Sequence, residues 1–216
     1  MWSDLRMHPG EGHRRGGRRP RPDPGAGPSE THPRAAKKVI DRLDAHCLAF
    51  IAASPLVLIA TTDGSRLDVS PKGDPAGSVI VEDDRHILIA DRPGNSRIDG
   101  LLNILKHPRV GTIFLIPGVR ETLRVNGHAT IHAEPELLER CRMNGRPPIT
   151  VLRIEVEEVF LHCAKALLRS RLWEPASWPE RRPVPTMSDM IRDHIGEDLA
   201  HESDEAMVKR YATMLY

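Results

Sequence analysis

Short runs of branched apolar residues, separated by tight turns rather than by helices, constrain this chain most. Leu56–Thr62 closes on Asp63-Gly64, a hairpin signal, and Arg66–Ser70 follows as its partner strand. Ser78–Glu82 and His86–Ala90 flank Asp83-Asp84-Arg85, and Val110–Ile116 and Glu121–Ala133 flank Pro117-Gly118. Thr150–Phe160 sets Val151, Ile154, Val156 and Val159 among polar residues and reads as a final long strand. Six or more strands joined mostly by hairpins exclude a regular βαβ alternation and with it a Rossmann domain. Helical spacing is confined to the ends and edges: Arg34–Ala52 (Val39, Leu43, Cys47, Phe50), Arg97–Lys106, and a short stretch from Glu134-Pro135 to about Met143 that stops at Asn144-Gly145. A helical turn over Ala164–Arg169 and two short helices within 187–216 follow. The pattern fits a mainly β fold with flanking helices, a small closed or half-open antiparallel barrel.

Composition narrows the function. A formal net charge of +1 makes no case for nucleic acid as a partner, and 4% aromatic residues leave no base-stacking surface. The longest apolar run, Pro55–Ala60, is far too short to span a bilayer, so no membrane partner is expected. Cys47, Cys141 and Cys163 lie far apart without a CxxC pair. Such sparse cysteines point to a reducing, cytoplasmic compartment, to space-filling roles and to no metal site. Residues 1–34 hold interleaved Gly and Pro with Arg14, Arg15, Arg18, Arg19 and Arg21 and almost nothing to bury. They read as a disordered, dispensable tail, and no apolar stretch follows the arginines to make a secretory signal. The expected organisation is that tail, a folded domain over 35–175, a Pro- and Arg-rich linker over 176–185, and C-terminal helices over 186–216.

Two segments carry candidate chemistry. Ser70-Pro-Lys-Gly-Asp74 reads as a turn after a strand, and Asp91-Arg-Pro-Gly-Asn-Ser-Arg-Ile-Asp99 reads as a strand-to-helix junction. At the junction, Gly94 permits an unusual backbone turn, Asn95 and Ser96 cap free backbone N–H groups or offer side-chain donors, and Arg97 adds a planar charged fork. Lys72 supplies a second cation. These are the parts an oxyanion needs, although an ordinary capped helix beside a solvated turn has the same composition. Asp68, Asp74 and Asp91 read as turn and cap residues. Trp173 reads as a lid residue on the barrel or a stacking platform.

Six segments in order resemble one family: Ser54-Pro-Leu-Val-Leu-Ile-Ala-Thr61, Asp68-Val-Ser-Pro-Lys-Gly-Asp74, Ile89–Asp99, Phe114-Leu-Ile-Pro-Gly118, Glu121-Thr-Leu-Arg-Val-Asn-Gly127, and His162-Cys-Ala-Lys-Ala166 with Arg169-Ser170 and Leu172-Trp-Glu-Pro175. Over about residues 40–175 the chain resembles the pyridoxamine 5′-phosphate oxidase-like superfamily of FMN-binding split barrels, in its bacterial branch of PPOX-type FMN-dependent flavoproteins. The resemblance implies a six-stranded antiparallel split β-barrel, a homodimer with FMN at the subunit interface, and oxidoreductase chemistry on a small molecule. It implies phosphate contacts from Asn95, Ser96 and Arg97 with help from Lys72 and Arg92. Ser70, Pro71, Ile89 and Ala90 would line the ribityl chain and ring edge, and Glu121 would reach the flavin from the partner subunit. The branch commonly has Arg where this chain has Lys72, which keeps the charge and loses the bidentate fork. It commonly has an aromatic where this chain has Ser78, and the C-terminal Arg/His substrate segment of true pyridoxamine phosphate oxidases has no match here. A non-catalytic flavin- or haem-binding dimer and a reductase using the deazaflavin F420 are the alternative readings.

Overall fold

The computed structural model describes residues 37–216. The expected tail, and the first residues of the helix expected over 34–52, lie outside them. Seven strands form a single antiparallel sheet in the order β2-β1-β5-β6-β7-β4-β3. They are β1 (Leu56–Thr62), β2 (Leu67–Gly73), β3 (Ile80–Val81), β4 (His86–Asp91), β5 (Arg109–Leu115), β6 (Thr122–His132) and β7 (Thr150–His162). The expected count of six is corrected to seven. The sheet is mainly β with flanking helices but does not close, since its end strands β2 and β3 do not pair.

Alternation builds the core. Val57 and Ile59 of β1, Phe114 of β5, Leu123 and Val125 of β6, Ile154 and Val156 of β7, and Ile87 and Ile89 of β4 are all buried in one cluster. Residues from opposite ends of the strand order share that cluster, so the sheet curls around its own inner face. Helix α1 (Ala45–Ala53) adds Cys47 and Ile51, and α2 (Asp99–Lys106) adds Ile104. Burying each large aliphatic side chain is worth roughly 1.5–3 kcal/mol. On the other face of β4, Leu88 and Ala90 are sealed with Cys141 and Val151 under α3 (Pro135–Arg140). Burial holds the Cys47 thiol up at about 11 and also raises that of Cys141, so both stay protonated and inert.

Several local expectations shift for identifiable reasons. The first helix starts late because Asp44 caps α1 through the Cys47 N–H, 2.9 Å away. Just upstream, Ile40 bridges to Val159. The Ser70–Asp74 segment is strand rather than turn as far as Gly73. Asp74 N–H donates to Pro55 and Asp63 N–H to Arg66, which fixes Lys72, Ser70 and Asp68 as the hydrogen-bonded partners of β1. Pro71 falls between them, with its missing donor turned to the open edge, where proline is tolerated. Ser78–Glu82 shrinks to the two residues of β3 because Ser78 N–H is taken by Pro75 in a turn. Asn144 and Gly145, both at positive φ, do not stop α3. They form the two-residue turn that pairs Met143 with Arg146. Later come α4 (Lys165–Ser170), α5 (Met187–Ile195) and α6 (Asp204–Ala212), the last two capped by Thr186 and Ser203.

The longest pairing, β6 with β7, breaks register at Asn126/Gly127. A Cβ on Gly127 would lie 1.9 Å from the Glu155 carbonyl oxygen, with no flexible side chain to give way. Gly127→Ala is therefore expected to destabilise by roughly 3 kcal/mol, the upper end of overpacking costs. Gly111→Ala, whose added Cβ meets only the Asn126 side chain at 3.2 Å, serves as the milder control. Urea melts of the two variants check this. Equal midpoints would mean that the bulge relaxes freely.

Candidate cofactor cleft

Because β2 runs on to Gly73, alternation turns Asp68, Ser70 and Lys72 inward, toward the end of β4. The sheet curls until these side chains face the residues that leave β4. Two ion pairs span the seam. Lys72 Nζ pairs with Asp91, and Arg92 Nε meets Asp74 at 2.5 Å, with both side chains of the second pair 11% exposed. Arg92 also donates to the Cys141 carbonyl at 3.1 Å. Ser70 Oγ donates to Asp68 at 2.7 Å. The three aspartates read as turn and cap residues are thus the acceptors of the seam.

Above the seam lies a cleft of about 490 Å³, lined by Ser70–Asp74, Ala90–Ile98 and Ile149. That volume suits a cofactor or small ligand. Of the residues singled out in the sequence, Ser70, Pro71, Lys72, Ala90, Arg92, Asn95, Ser96 and Arg97 come together on its walls. Ile89 stands apart, with its side chain in the core at 2% exposure. Glu121 is exposed just ahead of β6 and does not line the cleft of its own chain.

The junction differs from a capped helix start. α2 begins at Asp99, and its N-cap position, Ile98, has no side-chain cap. Asn95 Oδ1 instead accepts from the Arg97 N–H at 3.1 Å, and Ser96 sits at φ +58, uncommon for a residue with a Cβ. This conformation ends the loop before the helix and presents the 94–97 segment to the cleft. Arg97 reaches only the exposed Asp99, at 2.8 Å, and its own side chain is 71% exposed. Such a pair contributes at most about 1 kcal/mol, so its guanidinium is free to turn to another anion.

Sequence reasoning missed one wall residue, Ile149, and one residue that braces the seam, Tyr216. Ile149 is exposed in the loop before β7, with its N–H bonded to the Asp91 carbonyl. Tyr216 lies past α6, where its hydroxyl donates to Asp74 at 3.1 Å and its ring covers Arg92 at 5.5 Å. Burial first, and then Asp74, hold this phenol above its ordinary value, so it remains a donor at neutral pH. Neither residue belongs to a recognisable local pattern. Trp173 donates its indole N–H to Val119 at 2.9 Å and so packs over the β5–β6 hairpin.

Among the described residues, no helix is long and apolar enough to cross a membrane, and no group of three or more His, Cys, Asp or Glu side chains is placed to hold a metal. Residues 43–163, more than half of the chain, match the family model described as Pyridoxamine 5′-phosphate oxidase, and the chain belongs to that family. No curated protein matches. Similar solved structures include HupZ of Group A Streptococcus, 19% identical, covering 55% of this chain and 93% of that one with a TM-score of 0.45. An FMN-binding protein of Syntrophomonas wolfei is 13% identical and covers 53% of this chain and 81% of its own, with a TM-score of 0.41. An FAD-binding protein of Mycobacterium smegmatis is 15% identical and covers 57% and 97%, again with a TM-score of 0.41.

The Arg92–Asp74 pair stands on its own chemistry. Asp74→Asn leaves the nearly buried Arg92 without its counter-charge and is expected to cost about 3 kcal/mol. Adding Arg92→Met should recover much of that loss. Thermal melts of the single and double variants decide it, and a double variant no more stable than Asp74→Asn would show that the pair is not a stabilising unit.

Proposed function

We propose that the protein is an FMN-dependent oxidoreductase acting on a small molecule. One observation carries the reading: Lys72, Asn95, Ser96 and Arg97 share the wall of one cleft of about 490 Å³. The donor set fits a phosphomonoester. Arg97 offers a guanidinium fork held only by an exposed carboxylate, Asn95 and Ser96 offer neutral donors, and Lys72 stands behind them as a point charge. Asp91 keeps Lys72 oriented into the seam, and Asp74 does the same for Arg92. When bound, the flavin supplies the redox chemistry, and the protein supplies position and electrostatics. Ser70, Pro71 and Ala90 line the path away from the phosphate, and Ile89 supports it from the core.

A homodimer belongs to the same reading. The outer face of β2, β1 and β5 sets Val69, Ala60 and Gly111 in one row and Pro71, Leu58 and Ile113 in the next. On that face Val69 is 62% exposed, and Leu67 at the end of β2 is 83% exposed. A second copy covers such a face, and Glu121, in the turn between β5 and β6, then reaches the neighbouring cleft.

Arg97→Ala is expected to weaken FMN binding by about 1.5–3 kcal/mol, the scale of a charge-assisted hydrogen bond, while leaving riboflavin binding nearly unchanged. Quenching of flavin fluorescence measures both, and equal FMN affinities for the two proteins would remove Arg97 from the phosphate site. Sedimentation of the flavin-loaded protein should give twice the chain mass, and removing the flavin should loosen the dimer, because a ligand held by both chains favours their association. A flavin-loaded species of single-chain mass would remove the shared site and the role of Glu121.

A further inference from the structure

The outer face of the sheet continues past β5 onto β6 and β7, and the register sorts it into two rows. Leu58, Ile113, Arg124 and Phe160 lie side by side on β1, β5, β6 and β7, and Ala60, Gly111, Asn126 and Glu158 form the next row. Their neighbours along the strands, Ile59, Phe114, Val125 and Val159, point into the core. On β1 and β5 the first row is bulky and the second is nearly flat. On β6 and β7 the first row sets a cation over a ring, and the second sets an amide beside a carboxylate.

Two polar atoms on this face are left over. Arg124 Nε is sealed from solvent and has no hydrogen-bond partner among the described residues, and the same holds for Asn126 Oδ1. The Arg124 guanidinium rests on the Phe160 ring, 5.1 Å from its centre, and Lys38 Nζ lies 5.7 Å from the same ring. Glu158 stands diagonal to Arg124, within reach of a long side chain, yet it accepts from Asn126 Nδ2 at 2.6 Å. Glu157, the extra residue of the bulge, is taken by His128 at 3.0 Å and Arg109 at 3.6 Å. A sealed guanidinium nitrogen without a partner is costly, and a carboxylate from outside the chain recovers that cost.

The face complements itself. A two-fold axis lying between the rows and running across the strands turns each row toward the other row of a second copy. Leu58 and Ile113 of one copy then sit over Ala60 and Gly111 of the other, bulk into space. The same rotation brings Glu158 of the second copy over the Phe160 ring, beside Arg124. We infer that two copies of this chain pack with these rows opposed, and that Arg124 of each pairs with Glu158 of the other. The inference rests on the homodimer proposed above and adds the register at which the copies meet. It gives Arg124 a task apart from the cofactor, since opposed charges across an interface fix alignment more than they add affinity.

Sedimentation of the full chain, with thermal melts of every variant, tests this. The wild type should run at twice the chain mass. Arg124→Glu and Glu158→Arg should each raise the dissociation constant roughly tenfold or more, because each places two like-charge contacts in the interface. An equimolar mixture of the two variants should return to within about threefold of wild-type dimerisation, since a mixed dimer holds one native pair and one reversed pair. Ala60→Trp fills the space meant for Leu58, leaves both charges in place, and should abolish the dimer. If a charge reversal unfolds the chain, Arg124→Gln and Ala60→Trp carry the test, and both should weaken the dimer. Charge reversals that leave the dimer intact, or a mixture no more dimeric than its components, overturn the inference and leave the homodimer standing. In the fallback, Arg124→Gln or Ala60→Trp at wild-type affinity does the same. A wild type of single-chain mass gives the face to another occupant and overturns the inference together with the homodimer.

Discussion

Everything in this molecule depends on the curl of a single sheet around one apolar face. Ile59 of β1 and Ile89 of β4 sit near opposite ends of the strand order yet share a core. Without that curl, β2 and β4 would be far apart and the cleft would have one wall. Hydrophobic burial is non-directional, so it draws the two ends together without setting their alignment. The polar seam supplies direction. Lys72 with Asp91 and Arg92 with Asp74 match one strand to the other residue by residue. Ion pairs of this kind add little net stability over an apolar replacement, and here their effect is to hold two loops in one relation.

The cleft inherits its properties from this division. Its floor is strand and core, and its rim is the 92–98 loop, which belongs to neither. Ser96 at positive φ and the Asn95 turn hold the rim's shape locally, through two residues rather than through packing. The rim's cation, Arg97, is solvent-exposed while the seam's cation, Arg92, is nearly buried. The two arginines lie five positions apart and do different work, one adaptable and one fixed.

Much of this was legible in the sequence, and the reason is local chemistry. β1 was readable to the residue because its branched run ends at Asp63-Gly64, where the Asp63 carboxylate accepts from the Ser65 and Arg66 N–H groups. The residues of the cleft were readable because their types are rare in combination. What the sequence hid was non-local. Ser70–Gly73 looked like a turn because it contains Pro and Gly, and only its place at the edge of a sheet lets it be a strand. Asp74 and Asp91 looked like turn residues because their partners lie 18 and 19 positions away. Tyr216 had no signal, because its partners Asp74, Arg92 and Arg146 come from three separate elements. The late start of α1 was hidden for the same reason, since Ile40 answers to a strand more than a hundred residues downstream.

Pro71 has a consequence beyond the strand that holds it. The outward backbone groups of β2 belong to Leu67, Val69, Pro71 and Gly73, and the side chains of Leu67 and Val69 are both exposed and apolar. An open edge of that composition invites another chain to add a strand, and repeated addition leads to aggregation. Proline removes one donor from the middle of the row, so an incoming strand finds a broken ladder. The residue that lines the cleft on one side thereby guards the molecule against uncontrolled sheet growth on the other.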